Sequence, residues 1–183
     1  MTALWGYLAL LGLVAGERGA ELSISSRNAR RLLAAGGVET GKGLYRVMVV
    51  FHAVFLPALA LGAIAHREPP SPWAWLAVAG AAAAQGLRWW AVRTLGGRWT
   101  TRVIVLPGAT PVTAGPYRWL RHPNYLAVVL EMACLPLAWG MWRLALFFTL
   151  GNAAILAVRI RDEERALGPE WERHFAGRGR FLP

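Results

Sequence analysis

Long apolar runs divide this chain, and charged residues gather between them. A bilayer core of about 30 Å takes roughly 20 apolar residues as helix, fewer where flanking side chains snorkel. Five stretches approach that length: Ala3–Ala15, Val47–Ile64, Trp73–Leu87, Tyr125–Trp142 and Leu144–Val158. The pattern predicts an all-α polytopic membrane protein with about five transmembrane helices, the last two forming a C-terminal helical hairpin. The first run is not expected to be a signal peptide. No basic residue precedes it, and no small-residue cleavage site follows before Glu17 and Arg18.

The basic residues orient this arrangement. Eighteen of the 20 Lys and Arg fall in three segments, Gly16–Arg46, Arg88–Arg121 and the tail from Arg159. Arg67 and Arg143 fall in the two other connections. With five spans, the three basic segments share one side, which the positive-inside rule makes cytoplasmic, with the N-terminus outside. Trp73, Trp75, Trp139 and Trp142 then lie at outer helix ends and Trp89 and Trp90 at an inner end, where amphipathic rings favour the headgroups. The Gly80–Ala84 run of small residues lets the third helix approach its neighbours closely.

Composition narrows the class. The 183 residues are 56% hydrophobic and only 16% charged, where soluble domains carry about a quarter charged. That length fits one domain over residues 1–183, with no separate soluble unit in connections this short. The net charge of +10 would point to nucleic acid in a soluble protein. Here the charges flank membrane runs, so the lipid bilayer is the expected partner, with no nucleic acid and no protein partner. A lone Cys134 excludes an internal disulfide framework, and four scattered His make a metal site improbable.

Three features can carry chemistry. In Gly115-Pro116-Tyr117-Arg118-Trp119-Leu120-Arg121-His122-Pro123-Asn124-Tyr125, Pro123 suits a helix first turn. The free N–H groups that follow make an anion site; equally, the segment can be a membrane boundary anchored by Arg118 and Arg121. In Arg159-Ile160-Arg161-Asp162-Glu163-Glu164, Arg159 and Glu163 share a helix face. They read either as a surface ion pair or as a carboxylate for a cationic ligand beside an arginine for an anionic one. At membrane depth stand Glu131, His52 and Asn152, and ionisable groups there are functional candidates. Glu131 can pair with Arg88 or His52, or take a proton from a substrate. His52 reads as a helix–helix hydrogen bond and Asn152 as interhelical glue. No zinc-protease, serine-hydrolase, P-loop or dinucleotide motif occurs.

Together these constellations resemble the isoprenylcysteine carboxyl methyltransferase family, integral membrane enzymes that use S-adenosyl-L-methionine. The resemblance runs from about Arg98 to Pro183. It rests on Gly115 and Tyr117, on Arg121-His122-Pro123-x-Tyr125, on a membrane hairpin, on Arg159-x-x-x-Glu163-Glu164 and on Arg180-Phe181-Leu182-Pro183. It implies a cofactor site within about 98–183, lined by Ala109, Thr110, Pro111, Val112, Tyr117, His122, Pro123, Asn124, Tyr125 and Glu163, with Arg159 facing the substrate. The family's upstream glutamine has no clear counterpart; Ile104 lies near its expected place. Glu21, Asn28-Ala29-Arg30-Arg31 and Arg98–Val103 look like a bacterial subgroup that O-methylates alkylpyrones or alkylresorcinols.

The expected function is S-adenosyl-L-methionine-dependent methyl transfer to a lipophilic acceptor, an alkylated phenol or pyrone, at the cytoplasmic face of a bacterial inner membrane. Arg159 would stabilise a phenolate, and Glu131 is the candidate base. Residues 166–183 are expected to form a cytoplasmic cap, with Pro169 starting a helix and Trp171 and Phe175 forming its apolar stripe. Alternatives are carboxyl methylation of an isoprenylcysteine-like substrate, a NADPH-dependent reductase of the steroid and sterol type, and a non-enzymatic scaffold. The reductase motif usually continues Gly-Glu after His-Pro-Asn-Tyr, where this chain has Leu126-Ala127. A Glu163-Glu164 pair also suits a sulfonium better than a multiply phosphorylated cofactor.

Overall fold

The computed structural model describes residues 1–65, 70 and 73–181. Five helices dominate the described residues: α1 (Thr2–Ala34), α2 (Lys42–Ala65), α3 (Ala74–Leu95), α4 (Pro123–Leu137) and α5 (Trp142–His174). Of these, α2 and α5 are long and apolar enough to cross a membrane, and α4 is apolar but shorter. The outward faces carry large apolar side chains such as Leu13, Val50, Leu61, Phe147 and Leu150, all exposed. A water-facing surface would not carry so many. The connection holding Arg67, and the final Leu182 and Pro183, lie outside the described residues.

Helices α1 and α5, 33 residues each, continue far beyond their apolar runs. Gly168, at φ 75°, kinks α5, and Pro169 starts the segment beyond it, where a missing N–H costs nothing. Helix α4 likewise opens on Pro123 after the N-cap residue His122. The α4–α5 hairpin closes through Gly140, at φ 72°, with the Met141 N–H donating to the Pro136 carbonyl at 3.0 Å.

Small residues set the helix spacings. A Cβ on Gly80 would lie 2.8 Å from the Cys134 sulfur, so α3 meets α4 at close range. A Cβ on Gly151 would lie 2.6 Å from the Phe51 ring, which fixes α5 against α2. Phe51, Phe55 and Phe148 fill that seam, with ring centroids 4.9–5.3 Å apart. Trp139, expected at a headgroup boundary, is instead buried. It stacks on Tyr7 at 5.0 Å, and the Tyr7 hydroxyl donates to the Leu135 carbonyl at 2.9 Å.

The all-α expectation misses one small element. Strands β1 (Val38–Thr40) and β2 (Val103–Val105) pair antiparallel, with Glu39 opposite Ile104. Both are rich in β-branched residues, but a three-residue pairing between distant segments leaves no periodicity to read.

Candidate functional site

Helices α1, α2, α3 and α5, the α4 start and the β1–β2 pair enclose a cavity of about 950 Å³. One end is polar. Arg159, buried on α5, donates from Nε to the Tyr125 hydroxyl at 2.7 Å and from Nη2 to the Thr101 carbonyl at 2.6 Å. The Tyr125 hydroxyl in turn donates to Glu163. The phenol thus stands between guanidinium and carboxylate, although Arg159 and Glu163 share one helix face. The Arg159 guanidinium also lies over the Tyr125 ring, 5.6 Å from its centroid.

Aromatic rings cover this end. His122 stacks on Tyr125 at 5.3 Å and meets Trp171 at 5.7 Å, and Trp171 stacks on Phe175 at 4.6 Å. The tail locks the cover down. Arg121 Nε donates to the Arg178 carbonyl and Arg178 Nη1 to the Tyr117 carbonyl, each at 2.7 Å. The N–H groups of Arg121 and His122 donate to the carbonyls of Gly179 and Arg180. Glu164 takes His122 Nε2 at 3.1 Å and Arg180 Nε at 2.9 Å. Burial raises the Glu164 carboxyl's pKa, but the Arg180 and His122 contacts outweigh it, so the group titrates below its ordinary range. Burial, with a smaller contribution from Glu163, pushes the Tyr117 phenol above its own.

Thr101 joins the two halves of the chain. Its N–H donates to the Ser25 hydroxyl at 2.9 Å, and its own hydroxyl meets those of Ser25 and Tyr45. Three residues along α1, buried Asn28 donates from Nδ2 to the Gly96 and Trp99 carbonyls at 3.0 and 2.9 Å. These bonds hold residues 96–101 under α1, and so hold the carbonyl that Arg159 grips. One helical turn before Ser25, Glu21 accepts two bonds from buried Arg88, each 2.7 Å, and a third from Arg18 at 2.7 Å.

The structure places Ala109, Thr110, Pro111, Val112, Tyr117, His122, Asn124, Tyr125, Arg159 and Glu163 on the cavity wall. Pro123 is buried and lies off the wall, where it shapes the helix start. Glu131 also lies off the wall, 3.7 Å from Arg18 rather than paired with Arg88 or His52. Its carboxylate faces Arg18 of the Arg18–Glu21–Arg88 network, an arrangement that gives its reading as a base no support. Among the described residues His52 makes no helix–helix bond; its Nδ1 meets the Met48 carbonyl of its own helix at 2.8 Å. Asn152 is fully buried, lines the cavity, and has no hydrogen-bond partner on either side-chain atom among the described residues.

Thr101, Ser25, Asn28 and the Glu21–Arg88 pair belong to this site, yet their chemistry was not readable. The available signal was a buried-polar rhythm on α1: Glu21, Ser25 and Asn28 recur at helical spacing beyond the apolar run.

The Isoprenylcysteine carboxyl methyltransferase (ICMT) family model matches residues 75–169, from the start of α3 to just past the α5 kink. The chain is 34% identical over 159 residues to the uncharacterized protein YpbQ of Bacillus subtilis (strain 168), covering 86% of this chain and 94% of that one. It is 28% identical over 147 residues to an uncharacterized protein of Haemophilus influenzae (strain ATCC 51907 / DSM 11121 / KW20 / Rd), covering 80% and 86%. No solved structure gives a significant match. With Tyr125, Arg159 and Glu163 all inside the matched stretch, the chain belongs to the isoprenylcysteine carboxyl methyltransferase family of membrane-integral methyltransferases.

Proposed function

We propose that this protein methylates a hydroxyl of a lipid-tailed phenol or pyrone, with S-adenosyl-L-methionine as donor, at the cytoplasmic face of a bacterial inner membrane. One observation carries the reading: a single cavity runs from the polar Tyr125–Arg159–Glu163 end into a wall of Met48, Val49, Leu56, Val128 and Leu156. A charged donor and an apolar acceptor can meet there without either crossing the other's environment.

The residues present suit the donor. Glu163 offers a carboxylate to an ammonium or sulfonium. Asn124 Oδ1 is buried without a partner, although its residue lines the cavity, and so awaits a donor group. The Tyr117 and Trp171 rings offer apolar faces on the same wall. S-Adenosyl-L-methionine supplies an electrophilic methyl when bound. The protein's work is then alignment and exclusion of water: the acceptor oxygen has to be held in line, near ~3 Å. Arg159 uses Nε and Nη2 on Tyr125 and Thr101, which leaves Nη1 to steady a phenolate oxygen.

The five-span topology with the N-terminus outside belongs to the same reading. It puts Glu163 and the capped end toward the cytosol and the apolar wall within the bilayer. An alkyl tail gains about 0.8 kcal/mol per buried methylene, so it concentrates where the methyl is transferred. The test is methylation by purified protein of resorcinols and pyrones with lengthening tails, beside a prenylcysteine analogue. The rate is expected to rise steeply with tail length and then level. Equal rates on an untailed acceptor would refute arrival through the bilayer, and reaction of the prenylcysteine alone would make the enzyme a carboxyl methyltransferase.

A further inference from the structure

The donor end of the cavity leaves one polar pair unused. His52 on α2 and Asn152 on α5 both line the cavity at its apolar part. Their chain neighbours are in contact, since the Phe51 ring occupies the space a Gly151 side chain would need. The two polar residues therefore belong to the same layer of the α2–α5 seam. Asn152 lies seven residues before Arg159, two helical turns or about 10 Å along the same face of α5.

Asn152 is the stronger observation. It is 0% exposed, and neither its amide nitrogen nor its carbonyl oxygen has a partner. A buried amide left so carries a desolvation cost for each unsatisfied group. A ligand hydroxyl or ring carbonyl relieves that cost, because it can pair with one or both atoms. Interhelical glue would already be bonded.

His52 adds direction. A backbone carbonyl only accepts, so the bond to Met48 puts the imidazole proton on Nδ1. In the neutral ring Nε2 then carries a lone pair and no proton. The geometry points to His52 and Asn152 as the acceptor subsite: Asn152 orients a hydroxyl-bearing ring, and His52 Nε2 takes the hydroxyl proton. This rests on the hydroxyl-acceptor reading above and supplies the base that Glu131 does not.

The step balances. The acceptor's O–H proton passes to His52 Nε2, and an oxygen lone pair forms the new bond to the methyl carbon of the sulfonium donor. The carbon–sulfur bond breaks with its electron pair going to sulfur, and the imidazolium later returns its proton to solvent. A carboxylate acceptor, already ionised, would have no use for His52.

The experiment uses full-length protein in detergent with two acceptors of equal tail length, an alkylresorcinol and a nitrophenol control, an alkylated dinitrophenol that is ionised at neutral pH. His52→Gln is expected to slow the resorcinol on the order of 100-fold and the nitrophenol less than about 10-fold. Its affinity for S-adenosylhomocysteine should stay at the wild-type value, which also reports folding. Asn152→Leu should weaken resorcinol binding by about 10-fold, the scale of one hydrogen bond, read by tryptophan fluorescence without any methyl donor. In the wild type, single-turnover methylation of the resorcinol should slow in D2O and that of the nitrophenol should not. Equal losses on both acceptors, unchanged rates, or no difference in D2O would overturn the proposal. Wild-type protein that binds S-adenosylhomocysteine but methylates neither phenol would overturn the hydroxyl-acceptor reading itself, which separates that failure from this one.

Discussion

Arg159 Nε lies 2.7 Å from the Tyr125 hydroxyl, and that bond, with the Thr101 carbonyl on Nη2, holds the guanidinium apart from the carboxylate four residues along its own helix. The Tyr125 hydroxyl is donor to Glu163 and acceptor from Arg159, so both charges stay separate and poised. A direct Arg159–Glu163 pair would be the natural outcome on a bare helix surface. The tyrosine hydroxyl stands where a direct helix ion pair would otherwise close.

Tyr125→Phe should therefore do more than remove a hydroxyl. Without the spacer, Arg159 and Glu163 close on one another and both withdraw from ligands. Affinity for S-adenosylhomocysteine, measured calorimetrically, should fall by about 1–1.5 kcal/mol, the net scale of a hydrogen bond. Methyl transfer should fall further, because Arg159 is displaced as well. A variant with normal affinity and normal turnover would show that the spacer is idle.

Glu163→Gln keeps the shape and removes the charge. If this carboxylate holds a cationic ligand group, S-adenosylhomocysteine affinity should weaken by at least ~1.5 kcal/mol, as for hydrogen bonds to charged partners. Unchanged affinity would remove Glu163 from the cofactor site.

Much of this was legible beforehand, for reasons that differ by residue. Pro123 and Pro169 suit a helix first turn, and the structure begins helical segments at both. Trp171 and Phe175, four apart, were readable as a stripe, and they are buried together over the site. Trp139 misled because an aromatic at the end of an apolar run reads alike whether it faces headgroups or turns inward. For Glu131, depth in a span says that a charge needs a partner, but not that the partner is Arg18. The Ser25–Thr101 and Asn28–Trp99 bonds join positions more than 70 residues apart, and a single sequence carries no record of such pairings.

The cap carries its own pH dependence. The Arg180 and His122 contacts hold the folded-state pKa of Glu164 below its ordinary value, against the effect of burial. A depressed carboxyl pKa contributes stability that is fully present above the unfolded value of about 4.3. It is lost as pH falls through the lower folded value. Thermal unfolding in detergent should thus show stability dropping below about pH 4.3. Glu164→Gln should be less stable than wild type at neutral pH, with the gap narrowing as acid protonates the wild-type group. A gap that stays constant with pH would mean that Glu164 acts only by shape.

Asn28 offers the most direct test of how the two halves of the chain make one site. It is buried, and its Nδ2 satisfies the carbonyls of Gly96 and Trp99. Those carbonyls belong to the turn that delivers Thr101, whose own carbonyl receives Arg159. Asn28→Ala leaves both carbonyls without that donor, at roughly 1–3 kcal/mol for each group that water cannot reach. Asn28→Asp keeps the volume but replaces the donor with an acceptor, so it should be worse than alanine. Arg30→Ala, at an exposed position on the same helix, is the control. The expected order of thermal stability in detergent is wild type and Arg30→Ala together, then Asn28→Ala, then Asn28→Asp. Methyl transfer should fall with the Asn28 variants even below their unfolding temperatures, because a loosened Thr101 carbonyl frees Arg159. If Asn28→Ala matches Arg30→Ala in both stability and turnover, α1 does not position the site, and the site belongs to residues 98–183 alone.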